Sequence, residues 1–145
     1  MALAGDHVVV KLDDSGGTLR TFAEGDIMSI DLGMNFDQHD VTGFGDSAHK
    51  VINGQLNAPV TLRGYLTTTA LTGTHTVING AFVAGTQVSL EVQVGNNAAP
   101  TSGDPKYTGE FFIESYKSSL ETGKAVTFEA ILKPATGAGP TWGTV

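Results

Sequence analysis

Carboxylates and an imidazole occur close together in the segment Asp37-Gln38-His39-Asp40. In an extended chain, Asp37 and His39 point to the same side and could supply two ligands to a metal ion. A metal site usually needs three or four ligands, and the other histidines lie on different predicted elements, at His7, His49 and His75. We therefore interpret this segment as a solvated loop, and we predict no metal site and no cofactor.

Two further groups of acidic residues could carry chemistry. Asp13-Asp14-Ser15-Gly16-Gly17 has calcium-binding residue types but lacks the ligand spacing and closing Glu of a calcium loop, so it is predicted to be a turn. Glu110 and Glu114 would share one strand face, as the paired carboxylates of a glycosidase do, but no cleft or partner strand is recognisable. We find no phosphate loop and no nucleophile elbow, and the chain has 0 cysteines. The sequence predicts a protein that is not an enzyme.

Length and charge narrow the class of protein. A chain of 145 residues with 40% hydrophobic residues is typical of one globular domain, here residues 1–145. We expect no signal peptide and no membrane insertion, since no apolar run approaches the ~18 residues of a membrane span. The net charge of −7 argues against a basic surface that grips phosphates. An acidic surface past which nucleic acid slides and a plain solubilising surface are both compatible with this charge.

Alternation of apolar and polar residues predicts β-strands along most of the chain. The clearest are a strand containing Val8, Val10 and Leu12, and the segments Ile27–Phe36, Pro59–Leu66, Val88–Val94, Tyr107–Tyr116 and Ala125–Lys133. One segment has helical spacing instead, with Val77, Ile78, Ala81 and Phe82 on one stripe, and predicts a short helix within Leu71–Gly85. The expected fold is all-β: an antiparallel β-sandwich with one short flanking α-helix.

Two segments have no apolar periodicity. Residues 37–58 form a predicted inter-strand loop much longer than the usual hairpin connection of ~2–5 residues, and binding is a common reason for such length. The C-terminal residues 134–145, rich in Gly, Pro, Thr and Ala, are predicted to be a flexible tail. Assembly into a closed ring would order such segments and remove the open edges of a sandwich. From the residues alone, an isolated sandwich with flexible ends is an equal alternative.

Several segments, in order along the chain, resemble the major tail tube proteins of long-tailed (siphovirus-like) bacteriophages. They are Asp40-Val41-Thr42-Gly43-Phe44-Gly45-Asp46, Val60-Thr61-Leu62-Arg63-Gly64-Tyr65, the predicted helix, Tyr107-Thr108-Gly109-Glu110-Phe111-Phe112, Ala125-Val126-Thr127-Phe128 and the ending around Thr141-Trp142-Gly143. The resemblance implies a structural virion protein that polymerises as stacked hexameric rings. These rings would form the phage tail tube through which DNA is delivered to the host. Residues Asp40 to Asp46 would then be an inter-ring assembly loop.

The same resemblance implies partners and a location. The partners are further copies of the chain, the tape-measure protein, and the tail terminator and distal tail proteins, while DNA passes through without specific binding. The protein would be assembled in the host cytoplasm and would reside in the virion. A carbohydrate-binding or adhesin module and a capsid-decorating module remain the alternatives.

The resemblance also suggests which residues line the tube. The strands Ile27–Phe36, Pro59–Leu66, Tyr107–Tyr116 and Ala125–Lys133 would form its wall, with their apolar faces packed away from the channel. By parity, the lumen-facing residues are then Asp31, Asn35, Thr61, Arg63, Glu110, Glu114, Thr127 and Glu129. Because acidic residues dominate this set, we expect a net negative channel wall.

Overall fold

The computed structural model describes residues 7–95, 100–135 and 139–145. Within them the chain forms antiparallel strands and one helix, and this confirms the predicted all-β class with a single helix. In chain order the elements are β1 (His7–Asp13), β2 (Leu19–Thr21), β3 (Ile27–Leu32), β4 (Asn35–Asp40), β5 (Val51–Asn57), β6 (Val60–Tyr65), α1 (Thr74–Ala84), β7 (Val88–Gly95), β8 (Pro105–Ser119), β9 (Thr127–Pro134) and β10 (Thr141–Thr144).

The long strand β8 joins the two layers of a sandwich. Its first half pairs with β7 on one edge and with β10 on the other, while its second half, from Phe111 to Ser119, pairs with β9. The strand order β2-β1-β7-β8-β9-β6-β3 is therefore continuous but folds back on itself. We call the layer made of β3, β6, β9 and the second half of β8 the β3–β8 sheet, and the other layer the β2–β10 sheet.

Alternating side chains of both layers meet in one core. Leu12, Leu90 and Val92 of the β2–β10 sheet and Leu62 and Leu132 of the β3–β8 sheet are buried in the same cluster. Burying each such side chain contributes roughly 1.5–3 kcal/mol. The alternation of apolar and polar residues therefore predicts correctly which side of most strands faces the core.

The helix closes part of the core as its apolar stripe predicted. Val77, Ile78 and Ala81 are buried, whereas Phe82 is 40% exposed. Gly85 ends the helix in the left-handed region, with φ of 67°. The N-cap is Gly73, and the Thr74 hydroxyl donates a hydrogen bond of 2.7 Å to the carbonyl of Tyr65. This bond ties the start of the helix to the end of β6.

The predicted strand Ile27–Phe36 is wrong as a single element. The first strand, β3, ends at Leu32, and Gly33 lies close to Pro59. A second strand, β4, begins at Asn35 and belongs to a different sheet. A bulge between Ile27 and Ser29 also shifts the register of β3. As a result Met28 is 57% exposed, while Ile27, Ile30 and Leu32 pack against the core.

The predicted long loop at residues 37–58 is also wrong. β4 and β5 pair over most of it as a two-stranded hairpin, from Asn35↔Asn57 to Asp40↔Val51, and only residues 41–50 form its tip. These strands show no apolar alternation in the sequence because neither face of the hairpin packs on the core of the domain. Neither face therefore had to be apolar. We call residues 35–57 the hairpin.

The predicted flexible tail at residues 134–145 needs a similar correction. Pro134 ends β9, and Thr141–Thr144 form β10 against β8, with Trp142 opposite Tyr107. Ladder hydrogen bonds and an aromatic contact order this part of the tail although its composition is typical of a linker. Residues 136–138 lie outside the described part of the chain.

Candidate assembly surfaces

The hairpin offers apolar surface that its own chain leaves uncovered. Phe36 and Val51 are each 50% exposed, and Ile52 is 54% exposed. Leu56, which pairs with Phe36, contacts the C-terminal segment, since a Cβ on Gly139 would lie 2.9 Å from its Cδ2 atom. An isolated two-stranded hairpin is marginally stable in water. The hairpin is therefore expected to gain stability from a surface outside this chain.

The tip of the hairpin is a hydrogen-bonded structure that presents one aromatic ring. The carboxylate of Asp40 accepts hydrogen bonds from the hydroxyl (2.6 Å) and the backbone N–H (2.9 Å) of Thr42. These two bonds, the hydroxyl first, hold the pKa of Asp40 below its usual value. Asp46 accepts a bond of 2.8 Å from the backbone N–H of Gly43. Between them Phe44 is fully exposed. The segment Asp40–Asp46 thus forms one compact unit at the far end of the hairpin.

The acidic segments singled out in the sequence are engaged in local structure. Asp37 accepts a hydrogen bond of 2.6 Å from the Asn57 side chain, while Asp40 lies on the opposite face of the hairpin from Asp37. In the predicted turn at Asp13–Gly17, Asp14 accepts bonds from the backbone of Gly16 and Thr18, and its pKa is lowered mainly by the Thr18 bond. Among the described residues, no group of three or more histidines and carboxylates is placed to hold a metal ion.

Most of the residues expected to line a lumen do lie together on the outer face of the β3–β8 sheet. Arg63 is at the centre of this face, 3.4 Å from a carboxylate oxygen of Asp31 and 3.5 Å from one of Glu129. Glu114 lies 3.6 Å from the Lys133 ammonium. Strand register places Asp31, Thr61, Arg63, Thr127 and Glu129 on this face, and the contact with Lys133 adds Glu114.

The remaining two expected residues lie elsewhere. Asn35 is in the hairpin, opposite Asn57. Glu110 belongs to the first half of β8, where its carboxylate accepts a short hydrogen bond from the Ser89 hydroxyl and one of 3.3 Å from Gln87. Glu110 and Glu114 therefore fall on either side of the point at which β8 passes between the layers. They do not form a carboxylate pair.

The outer face of the β3–β8 sheet is electrically balanced, whereas the set of residues expected from the sequence is net negative. A bulge between Ile113 and Ser115 shifts the register of β8, places Tyr116 against the core and sets Lys117 opposite Glu129. With Lys133 and Arg63, this gives three cations on the face against the three acids Asp31, Glu114 and Glu129, hence a net charge of zero. Lys133 could have been assigned from its parity with Glu129, but nothing in the sequence marks the bulge.

The β3–β8 sheet is open at both of its edges. β3 pairs only with β6, and from Phe112 onward β8 pairs only with β9; no other strand of the described chain pairs with either of them there. Unpaired edge strands are exposed templates for pairing with another chain.

In the described residues no helix is long and apolar enough to cross a membrane.

Comparison with known proteins supports a specific fold. No protein-family model and no curated protein sequence matches the chain. Solved structures do: the SPP1 tail tube matches with a TM-score of 0.76 and 13% identity, over 99% of this chain and 80% of that chain. A chain from the tail of an empty gene transfer agent particle, refined with C6 symmetry, matches with a TM-score of 0.70 and 18% identity, over 99% of each chain.

Tube assemblies of another kind share the fold. A chain of the PVC sheath–tube complex, an extracellular contractile injection system, matches with a TM-score of 0.71 and 13% identity, over 99% of this chain and 93% of that chain. The similarity extends over nearly the whole of this chain in each case. The protein therefore has the fold found in these tail and tube structures.

Proposed function

We propose that the protein is a tail tube subunit, which polymerises as stacked hexameric rings into the tube of a phage or phage-like tail. DNA is delivered through the lumen of this tube. The observation that carries the proposal is the β3–β8 sheet, which ends in an unpaired strand on each side. The fold shared with the SPP1 and gene transfer agent tails supports it.

The two open edges are compatible with ring closure. β3, β6, β9 and β8 alternate in direction, because each neighbouring pair is antiparallel. The strand at one end of the sheet therefore runs opposite to the strand at the other end. Pairing β3 of one copy with β8 of the next copy continues the antiparallel sheet. Repetition of this head-to-tail contact with a fixed rotation closes a ring and leaves no open edge.

In such a ring, one face of the continuous sheet lines the channel. We assign this role to the outer face of the β3–β8 sheet, since its other face is the core of the domain. A wall on which acids and bases pair side by side offers few free cations to phosphate. Binding of DNA through phosphate contacts releases counterions and holds the DNA. A balanced wall avoids this binding and suits a conduit.

The hairpin then supplies the contact between rings, through the tip residues Asp40 to Asp46. Its exposed apolar side chains and its separation from the main sheet support this role. A tape-measure protein inside the tube and terminator and distal tail proteins at its ends complete the proposed set of partners. The protein is proposed to assemble in the host cytoplasm and to act in the virion.

Electron microscopy of the concentrated, purified protein tests the proposal. We expect tubes built of stacked rings. A variant in which residues 41–50 are replaced by Asn-Gly keeps β4 and β5 joined by a favourable two-residue turn. This variant should keep the circular dichroism spectrum of the parent protein and form rings without long tubes. Particles that stay monomeric at every concentration, together with binding on a glycan array, would instead favour the carbohydrate-binding alternative.

A further inference from the structure

A cleft lies open between the two layers, beside the first residues of β3. Its volume is about 470 Å³, and its lining combines the apolar side chains Val8, Val10, Phe22, Ile27, Met28 and Ile30 with polar groups that include Glu24 and Ser29. Phe22 and Val10 are almost fully buried, whereas Met28 is 57% exposed because the bulge of β3 turns it outward. Clefts lined by apolar side chains and a few polar groups, with a flexible thioether among them, are typical binding sites for a hydrophobic side chain.

The cleft and the base of the hairpin lie at opposite ends of the same strand pair. The cleft is lined by the first residues of β3, while the hairpin leaves from the end of β3 and returns just before β6. β3 and β6 are antiparallel neighbours, so the hairpin leaves this pair at the end opposite the cleft. Stacking copies along the strand direction therefore places the end of one copy that carries the hairpin next to the end of the following copy that holds the cleft.

The chemistry of the tip matches that of the cleft. Phe44 is a fully exposed apolar ring, and the bonds made by Asp40 and Asp46 fix the turn that carries it. A methionine sulfur contacts an aromatic ring favourably, and Met28 is exposed where such a ring would enter.

We infer that Phe44 of one copy inserts into this cleft of a second copy and sets the contact between successive rings. The inference rests on the proposed tube function and names the partner of the hairpin tip. Because the tip and the cleft are different surfaces, the contact is heterologous and repeats without closing along the tube axis. A buried aromatic side chain at such a contact is typical of an interface hot spot.

Truncation of the ring tests its contribution. Phe44→Ala should raise the protein concentration needed for tube growth by about tenfold or more, the effect of losing a hot spot. Phe44→Leu keeps an apolar side chain and should recover most of the assembly. The control is Val83→Ala, which removes an apolar side chain that is 76% exposed on the helix. Equal assembly of Phe44→Ala and Val83→Ala would overturn the inference.

Disulfide trapping tests the contact itself, and the chain has 0 cysteines of its own to interfere. Tubes grown from a mixture of Phe44→Cys chains and size-tagged Met28→Cys chains should give, on oxidation, a covalent pair with one chain of each kind. Val83→Cys mixed with Met28→Cys should not. Intact tubes without the expected pair overturn the contact and leave the proposed function standing. Wild-type chains that form no tubes overturn the function, and the contact with it.

Discussion

The indole ring of Trp142 meets the phenol ring of Tyr107 edge to face, with 5.2 Å between the ring centroids. Tyr107 is fully buried, and this burial raises its pKa to about 12. Trp142 covers it from β10, directly opposite in the strand register. The C-terminal strand is therefore part of the domain, although each of its residues is largely exposed to solvent.

Trp142→Ala should lower the free energy of unfolding by about 1–2 kcal/mol, from the loss of the aromatic pair and of apolar burial. Chemical denaturation followed by far-ultraviolet circular dichroism measures this change without needing the tryptophan signal. Val83→Ala on the exposed side of the helix is the control and should change stability by less than about 0.5 kcal/mol. If both variants unfold at the same denaturant concentration, β10 does not contribute to the stability of the domain.

The sequence predicts the strands that place one face on the core. Val88, Leu90 and Val92 are buried as their alternation requires, and the helix lies where its stripe indicated. Apolar alternation does not predict the strands of the hairpin or β10, because backbone pairing and a few side-chain contacts, and not burial of one face, hold them in place. Composition alone therefore suggested a loop and a flexible tail there.

Alternation along a strand predicts which residues lie on the candidate channel face only as far as the first bulge in that strand. Asp31, Arg63 and Glu129 lie together as the alternation predicted, and their ion pairs confirm the common face. Beyond Ile113 the extra residue reverses the parity of β8, and Lys117 joins the same face. Bulges depend on how two strands meet, which a single sequence does not show. The role of this face in a tube stays a prediction.

Gly64 should tolerate no side chain. A Cβ there would overlap the carbonyl oxygen of Asp26 and lie 3.0 Å from the Cα of Ile27. Both are backbone atoms, so relief needs a shift of the turn before β3, and Gly64→Ala should cost about 2–4 kcal/mol of stability. Thermal unfolding measures the loss.

Gly43→Ala is the matched control for this substitution. Its added Cβ would meet only a side-chain oxygen of Asp46, at an ordinary distance of 3.7 Å. This variant should unfold close to the parent temperature. A Gly64→Ala protein as stable as Gly43→Ala would show that β3 and β6 approach each other less closely than described.

The hairpin tip should respond to acid through Asp40. The pKa of Asp40 is lowered by hydrogen bonds from Thr42. The ionised carboxylate therefore stabilises the tip at pH values above the ordinary aspartate pKa of about 3.9. This contribution is lost as the pH falls through the lowered pKa. Thr42→Val removes the hydroxyl, which is the larger cause, and should raise the pKa of Asp40 toward its ordinary value.

Titration of the Asp40 carboxyl by NMR measures this shift directly. Thr42→Ser keeps a hydroxyl at the same position and should retain the lowered pKa. Identical titration curves for the Val and Ser variants would mean that the Thr42 hydroxyl does not bond to Asp40 in solution.

Charge reversal on the proposed channel wall should retard DNA. Glu114→Lys removes the partner of Lys133 and leaves the two ammonium groups side by side on the outer face of the β3–β8 sheet. Repeated around each ring, the added cations should bind phosphate and slow DNA release from particles, most strongly at low salt because screening acts over ~8 Å at physiological ionic strength. Glu121→Lys is the matched control, since Glu121 is also an exposed acid with a lysine partner, Lys124, at 3.3 Å, but lies in the turn that joins β8 to β9 and not on a strand of the face. Equal release rates from the two variants, in particles with intact tails, would mean that this face does not line the channel.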